Sequence, residues 1–219
     1  MMKIKCYGHA AFLITSDQGV KIVTDPYESG AYGGKLTYGK IKDQADIVTI
    51  SHDHADHNDT KSLPGSPQIV KGSGSKTIKG ISLKGIPTYH DPSKGSERGA
   101  NTIFTFSVDG IQVCHLGDLG HALGDKELAE IGRVDILFIP VGGYYTIDPK
   151  EATHVAEQIK PKVLIPMHFK TEKCGFPIVP VEDFLKGKAN LKRPKTSETA
   201  FDKTTLPKQM EIVVLEHAL

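Results

Sequence analysis

The sequence predicts a sheet-rich α/β fold built in layers, and two patterns along the chain predict it. Short apolar runs rich in β-branched residues recur between turn residues, which is typical of strands. In the first part of the chain these runs follow one another directly, and later they alternate with helical patterns. This order favours stacked sheets and helices over a closed all-β barrel.

The strand-like runs are separated by turn chemistry. They cover residues 3–7, 10–15, 20–24, 47–50, 78–89, 102–108, 111–115, 136–141, 163–165 and 211–215. Between two of them stands Asp109-Gly110, flanked by TIFTFSV and IQVCHL. Because both central residues of a type I′ turn adopt a positive φ, this dipeptide predicts a tight hairpin.

The clearest helical pattern covers residues 149–160. Asp148 can cap the free amide groups at its start, and Glu151 completes a capping box. Shorter helices are predicted at residues 126–131 and 181–185.

The charge balance excludes a strong general attraction to polyanions. The chain has 27 Lys plus Arg against 26 Asp plus Glu, a net charge of +1 with histidine neutral. No overall field therefore favours nucleic acid or an acidic membrane. The basic stretch at residues 186–208 is predicted to be a solvated loop. The expected partner is a small-molecule substrate.

Length and cysteine usage predict a single domain, residues 1–219, in the cytoplasm. A chain of this length buries about 70% of the surface that its unfolded form exposes. The longest apolar run, residues 134–141, is shorter than the ~18 residues of a membrane-spanning helix, and we read no export signal. Cys6, Cys114 and Cys174 are odd in number and dispersed, as is typical of reduced thiols.

The segment SHDHADH, directly after the apolar run DIVTI, predicts a metal site. Histidines at alternate positions of an extended segment project to one side, so His52 and His54 can bind one cation together. Asp56 and His57 can then face a neighbouring cation. Burying three imidazoles and a carboxylate without partners would be costly, and metal ions would supply those partners.

HDHADH resembles the HxHxDH signature of the metallo-β-lactamase superfamily, and the resemblance extends over nearly the whole chain. It implies a four-layer αβ/βα sandwich with one or two metal ions. It also implies that His90 completes a set with His52 and His54. Asp118, in HLGDLG, would bridge both metals, and His168 would be the last ligand of the second one.

The same resemblance assigns Asp25, in VKIVTDP, to a supporting role that orients a metal-binding histidine. A point independent of the family supports the ligand set: His52, His90, Asp118 and His168 each follow an apolar strand-like run, and ligands of layered α/β proteins collect at strand ends. For His90 the alternative is a histidine satisfied by Asp91 or by the backbone.

Further residues are candidates for supporting or substrate-contacting roles. His115 lies inside a strand-like run, which favours a core or supporting position. His9 and His121 have either an outer role at the site or a structural one. Tyr144 or Tyr145 can donate a hydrogen bond to a developing oxyanion, with ordinary packing as the alternative.

Arg98 and Asn101 can bind an anionic group of the substrate, with a surface ion pair as the alternative. The segments GHAAFLI, RGAN, HLGDLG and PVGGYYT resemble small single-domain hydrolases related to L-ascorbate-6-phosphate lactonase and N-acyl-phosphatidylethanolamine phospholipase D.

The predicted function is a metal-dependent hydrolase that acts on a small ester, lactone or phosphodiester. Two divalent cations would lower the pKa of a bound water from ~15.7 toward ~7, and the resulting metal-bound hydroxide would attack while Asp56 shuttles the proton. Zn²⁺ is the expected metal, with Mn²⁺ or Fe²⁺ as alternatives. Alternative functions are an RNA-processing nuclease, a redox di-iron or persulfide-oxidising protein, and a metal-binding module without catalysis.

Overall fold

The computed structural model describes residues 1–219 and contains two β-sheets with a few short helices. In chain order the elements are β1 (Met2–Gly8), β2 (Ala11–Thr15), β3 (Lys21–Thr24), α1 (Ala31–Gly34), β4 (Ile47–Ile50), β5 (Gln68–Lys71), β6 (Gly74–Ile78), β7 (Ile81–Tyr89), β8 (Ala100–Val108), β9 (Ile111–His115), α2 (Asp125–Ile131), β10 (Ile136–Pro140), α3 (Pro149–Ile159), β11 (Val163–Met167), α4 (Val181–Leu185), β12 (Leu191–Lys192), β13 (Glu198–Phe201) and β14 (Glu211–Val213).

The strand directions bring many strand ends to one edge of each sheet. The first sheet has the order β13-β1-β2-β3-β4-β5, and β1, β3 and β4 run the same way. The second has the order β12-β14-β11-β10-β9-β8-β7-β6, and β7, β9, β10 and β11 share one direction. The carboxyl ends of these seven strands therefore lie at one edge of their respective sheets.

The main core lies between the two sheets. Alternate residues of each strand point inward, as the pleat requires, so that Ile4 of β1 is buried in this core while Tyr7 contributes to the opposite face. Phe12 of β2 meets Phe138 of β10 across the interface, with ring centroids 4.4 Å apart. The two sheets are thus joined by interdigitating apolar side chains.

Each sheet is also covered on its outer face. Leu137 and other outward residues of the second sheet pack against Val155 of α3 and Phe184 of α4. On the first sheet, Val48 packs against Leu36 and other residues from long loops rather than from full helices. The layered α/β fold is confirmed, with one outer layer built mainly of loops.

Local predictions hold where turn or capping chemistry is explicit. Asp109 and Gly110 have φ values of 52° and 73° and form the predicted hairpin between β8 and β9. Asp148 accepts hydrogen bonds from the amides of Lys150 and Glu151, which is the predicted cap of α3.

Two predictions about irregular segments were wrong. Residues 78–89 are not one strand, because Lys79 and Gly80 adopt positive φ values and turn the chain between β6 and β7. Residues 186–208 are not only a loop, since they contain β12 and β13, which pair with β14 and β1. Backbone pairing at the sheet edges overrode the polar composition there.

None of the helices in the structure combines the length and the apolar character needed to cross a bilayer. All three cysteines are buried free thiols.

Candidate metal centre

The candidate site forms where the strand ends of both sheets meet. The motif histidines begin two residues after the end of β4, and Asp25 directly follows β3. From the second sheet, His90 directly follows β7 and His168 directly follows β11. His54 is partly exposed, and the other side chains are buried. Residues far apart in the chain therefore lie together in one largely buried site.

Asp25 fixes the orientation of two histidines. Its carboxylate accepts hydrogen bonds from the Ser51 amide (2.8 Å), the Ser51 hydroxyl (2.5 Å) and Nδ1 of His57 (3.0 Å). The Ser51 oxygen in turn accepts from Nδ1 of His52 at 2.9 Å. With the proton assigned to Nδ1, the Nε2 lone pair of both imidazoles is free to bind a cation.

Asp118 lies at the centre of the donors. Its Oδ2 atom is 3.2 Å from Nε2 of His57, 3.2 Å from Nε2 of His90 and 3.3 Å from Nε2 of His168. Nε2 of His52 is 3.8 Å away. This position, within reach of four imidazoles, suits a carboxylate that is shared between two cations.

The remaining donors fall into two groups, in each of which the potential ligand atoms lie within 4.8 Å of one another. We call the first the imidazole group; it consists of His52, His54 and His90. We call the second the mixed group; it consists of His9, Asp56, His57 and His168. Asp118 lies between them.

The donor set fits divalent metal ions. Nε2 of His52, Nε2 of His57 and Oδ1 of Asp118 are buried and have no hydrogen-bond partner. Such orphaned polar atoms are costly unless something binds them. Ligand atoms held ~2.0–2.1 Å from one ion in a tetrahedron lie ~3.3 Å apart, which agrees with the 3.2–3.3 Å separations around Asp118.

Burial keeps three of these histidines neutral, which is the form that binds a metal. Burial, followed by the neighbouring His57, lowers the pKa of His52 to about 3. Burial, followed by His168, lowers the pKa of His9 to about 4. Burial also lowers the pKa of His54, with His90 as the next cause.

The carboxylates stay ionised in spite of their burial. Burial alone would raise the pKa of Asp118, but His168 and His57 hold it well below its usual value. The pKa of Asp56 is likewise lowered, because His57 and His9 outweigh burial. Burial opposes a charge on His57, yet Asp118 and Asp56 raise its pKa well above the ordinary value. A positive charge is thus strongly favoured at this place.

The backbone around the site is strained and closely packed. His9, Asp25 and His168 adopt positive φ values of 55°, 38° and 51°, a region that residues other than glycine rarely occupy and that concentrates at functional sites. A Cβ on Gly120 would lie 2.2 Å from the His90 carbonyl carbon, and one on Gly142 would lie 2.2 Å from the His168 oxygen.

A cavity of about 280 Å³ opens onto the donors. His54, Asp56, His90, Asp118 and His168 form its inner surface. The outer part is lined by Tyr32, Lys35, Arg98, Tyr145 and Phe176. The cavity therefore joins the candidate metal centre to a partly aromatic, cationic rim.

Several sequence candidates lie elsewhere than at this cavity. Asn101 does not face it: its side chain donates to Thr88 and to the Leu116 carbonyl, and accepts from the Asp118 amide. It therefore holds the Asp118 loop instead of an anion. Tyr144 is 66% exposed and does not line the cavity.

His121 and His115 have structural partners on both ring nitrogens. His121 accepts from the Tyr89 amide and donates to the Ala122 carbonyl. His115 donates to the Ala10 carbonyl and accepts from the Gly117 amide. The supporting position expected for His115 agrees with these contacts, and His121 supports the strand end before His90.

Asp91 is not the partner of His90. Its carboxylate instead accepts hydrogen bonds from the amides of Ser93, Gly95, Glu97 and Arg98, and it thereby shapes the loop that carries Arg98.

Sequence reasoning left out or underrated four residues of the site. Nε2 of His9 donates to Asp56 at 3.0 Å, and the Tyr32 hydroxyl donates to the same carboxylate at 3.0 Å. Lys35 and Phe176 line the cavity. His9 directly follows β1, so its position at a strand end could have indicated it. Tyr32, in α1, and Lys35 and Phe176, in loops, follow no strand and carry no such signal.

The layered sheets with a His- and Asp-lined strand edge define a class of metallo-hydrolases, and comparison with known proteins specifies it. The model of the β-lactamase superfamily domain matches residues 3–168. A UPF0173 metal-dependent hydrolase of Carboxydothermus hydrogenoformans is 35% identical over 196 residues, covering 78% of this chain and 85% of that protein.

Solved structures agree with this. A protein of Thermotoga maritima, described as a Zn-dependent hydrolase of the metallo-β-lactamase superfamily, superposes with a TM-score of 0.82 at 39% identity and covers 99% of both chains. Human tRNase Z, short form, is 13% identical with a TM-score of 0.56 over 79% of this chain and 95% of that one, which shows the fold alone. The chain belongs to the metallo-β-lactamase superfamily and is a metal-dependent hydrolase.

Proposed function

We propose that the protein is a dinuclear hydrolase, with zinc as its metal, that cleaves a small ester, lactone or phosphodiester. In this proposal His52, His54 and His90 would hold one ion, and Asp56, His57 and His168 would hold the other. Asp118 would serve both, and Asp25 acts by fixing His57 and, through Ser51, His52. His9 contacts Asp56 and belongs to the mixed group.

One observation carries the proposal: Oδ2 of Asp118 lies 3.2–3.8 Å from Nε2 of four histidines. These four imidazoles and the carboxylate exceed the four ligands of a tetrahedral zinc ion, so they favour two cations over one. Nitrogen and oxygen donors without thiolates suit Zn²⁺, and they also accept Mn²⁺ or Fe²⁺.

When bound, the two ions would supply Lewis-acid polarisation of the scissile group and would lower the pKa of water at the site toward neutrality. Asp56 lines the cavity next to the donors and is ionised, so it can accept a hydrogen bond from the attacking water and shuttle its proton onward. His9 and Tyr32 each hold one of its oxygens, which orients the carboxylate.

The substrate is proposed to be small because the cavity is small. A volume of about 280 Å³ is at or just below the lower limit of ordinary ligand pockets, ~300 Å³. An RNA-processing role requires a long cationic track, whereas the basic C-terminal segment has Arg193 paired with Glu182 and Lys192 paired with Glu211.

We further propose that residues 1–219 act as one domain in the cytoplasm, which the free thiols support.

The proposal is tested by measuring metal content and turnover together. Protein purified without added metal is analysed for zinc, manganese and iron. It is then loaded with Zn²⁺ or Mn²⁺ and offered a panel of lactones, phosphodiesters and thioesters. His54→Ala and Asp118→Ala should lower both bound metal and turnover, the latter variant by more than about 100-fold because it removes a shared ligand.

Asp53→Ala is the matched control, since Asp53 lies in the same motif but faces solvent and contacts Asn58 and Lys71. It should keep both metals and turnover. Full metal occupancy in both His54→Ala and Asp118→Ala would contradict the ligand assignment. Iron as the native metal, together with oxidation chemistry and no hydrolysis, would favour the di-iron alternative.

A further inference from the structure

The inner and outer halves of the active-site cavity are lined by different kinds of side chain, and the outer half indicates the chemistry of the substrate. The inner half holds the metal donors, while the outer half presents three aromatic rings and two cationic side chains. The following inference rests on the hydrolase function proposed above and concerns the chemistry of its substrate.

The aromatic side chains form one continuous wall. The Tyr32 hydroxyl contacts Asp56 at 3.0 Å, and its ring lies edge-on to Phe176 with centroids 5.4 Å apart. Phe176 lies edge-on to Tyr145 at 5.8 Å, and the Arg98 guanidinium carbon lies 5.9 Å from the Tyr145 ring. The wall thus leads from a metal ligand at one end to Arg98 at the other.

The backbone that carries Arg98 is fixed by hydrogen bonds. Asp91 is buried and accepts hydrogen bonds from four backbone amides of the loop, including that of Arg98 at 2.8 Å. The guanidinium has one carboxylate neighbour, Glu97, at 3.5 Å. A planar guanidinium offers five N–H donors, so most of them remain available to a ligand in the cavity.

Lys35 supplies a second positive charge at the same rim. Its backbone is fixed because its carbonyl accepts a hydrogen bond from the Gly175 amide at 2.6 Å, next to Phe176. Its ammonium group makes no ion pair with any carboxylate and no hydrogen bond in the structure. By contrast, Lys71 and Lys79 on the surface each contact a carboxylate.

We propose that the substrate carries an anionic group, a carboxylate or a phosphate, apart from the bond that is cleaved. Arg98 binds this group through paired donors, and Lys35 adds attraction at the rim. The part of the substrate between the anion and the scissile bond lies along Tyr32, Phe176 and Tyr145. Neutral esters of the same length lack this anchor and are poorer substrates.

Two matched esters test the proposal on the metal-loaded protein. Mono(4-nitrophenyl) succinate and 4-nitrophenyl butyrate differ in the terminal carboxylate, and each rate is corrected for spontaneous hydrolysis, which that carboxylate accelerates intramolecularly. The succinate should have the higher kcat/KM, and Arg98→Ala should reduce that value about 10- to 100-fold, mainly through KM. Arg98→Lys should recover part of the loss, and Lys35→Ala should have a smaller effect. The butyrate, which lacks the anion, should lose several-fold less than the succinate in each variant.

Calorimetric binding provides a readout that does not depend on turnover. Phenylphosphonate and benzoate are titrated separately into the metal-loaded wild type and variants, so that the two titrations distinguish phosphate from carboxylate recognition. Arg98→Ala and Lys35→Ala should weaken the preferred anion, and this effect should shrink at high salt. The control is Lys126→Ala, on the exposed side of α2.

The outcomes separate this inference from the proposed function. Equal turnover of both esters, or unchanged anion affinity in Arg98→Ala and Lys35→Ala, would overturn the anion site while leaving the hydrolase intact. Absence of turnover with either ester would count against the proposed function, and the calorimetric comparison would still decide the anion site.

Discussion

The two donor groups of the metal centre are built on different principles. All four members of the mixed group are buried, and Asp56 and His57 are each held by hydrogen bonds from or to other side chains. In the imidazole group only His52 has such an anchor, and His54 is partly exposed. Nδ1 of His90 has no partner, and the same is true of Nδ1 of His168 in the mixed group. The mixed group is therefore preorganised at Asp56 and His57 and carries its own negative charge, whereas the imidazole group depends on Asp118 for charge.

Among variants outside the proposed ligands, the largest effect is expected from Asp25→Ala, which removes the support that the two groups share. Three donors, from Ser51 and His57, would lose their buried acceptor. Breaking such a buried charged network costs about 3–5 kcal/mol of unfolding free energy, and losing an outer partner of metal ligands costs about 10- to 100-fold in metal affinity. Chemical denaturation and metal titration measure the two effects.

The matched control is Asp135→Ala. Asp135 is a buried carboxylate that accepts from the Gln112 amide and pairs with Arg133 just before β10, at the opposite end of that strand from the metal centre. This variant should lose stability but keep its metal affinity. Equal metal affinity in Asp25→Ala and wild type would show that Asp25 does not organise the donors.

The pH dependence of the metal-free protein should reveal the neutral histidines of both groups. Their folded pKa values, about 4 for His9 and about 3 for His52, lie below the ordinary value of 6.5. The unfolded chain then binds more protons, so the stability that they contribute is complete above about pH 6.5 and is lost as the pH falls toward 4. For His9 the loss is on the order of 3 kcal/mol.

Other groups do not share this pH window. The pKa of His57 is raised, so its contribution is complete below about pH 6.5 and is lost only as the pH rises. The pKa values of Asp56 and Asp118 are lowered. The stability that these two groups contribute is therefore complete above about pH 4 and is lost only as the pH falls below that value. Denaturation of chelator-treated protein at several pH values checks the prediction. His9→Asn should flatten the slope between pH 6.5 and 4, and an unchanged slope would contradict it.

A pair of glycine substitutions can disturb one group at a time. A Cβ at position 142 would press on the His168 carbonyl of the mixed group, and one at position 120 on the His90 backbone of the imidazole group. Gly142→Ala and Gly120→Ala should each cost about 1–3 kcal/mol of stability. In metal analysis each should lose ion from its own group first. Loss of both ions in either variant would mean that the groups are not separable.

The smallest effect is expected from Tyr32→Phe, which affects only the mixed group. The variant removes the hydrogen bond to Oδ1 of Asp56 but keeps the ring against Phe176. Because the side chain is 47% exposed, we expect only about a 3- to 10-fold loss in affinity for one of two ions. Tyr144→Phe is the control, since its side chain does not line the cavity.

Most of the fold was predictable because it depends on local patterns. The strands of both sheets have apolar, β-branched runs, and the hairpin at Asp109-Gly110 and the cap at Asp148 have specific turn and capping chemistry. The four edge strands β5, β6, β12 and β13 were not predicted, because they are short or polar and gain their structure from pairing with β4, β7, β14 and β1.

The candidate site divides in the same way. Residues that follow strands, such as His52, His90 and His168, could be identified from sequence because topology places strand ends together. Asn101 also lies at this edge, yet its orientation toward Leu116 and Asp118 depends on packing that no pattern encodes. Tyr32 lies in the short glycine-rich helix α1 and Lys35 directly follows it, and the course of this segment is set by tertiary contacts, so their place at the cavity required the structure.

The C-terminal strands have a consequence for which fragment of this chain can exist alone. Strand β13 pairs with β1, and β14 pairs with β11, so the last part of the chain adds a strand to each of the two sheets. A fragment that ends at residue 168, where the family match ends, would leave two rows of backbone amides and carbonyls free. Such rows recruit strands from other molecules, so the truncated protein would precipitate or exchange segments between copies.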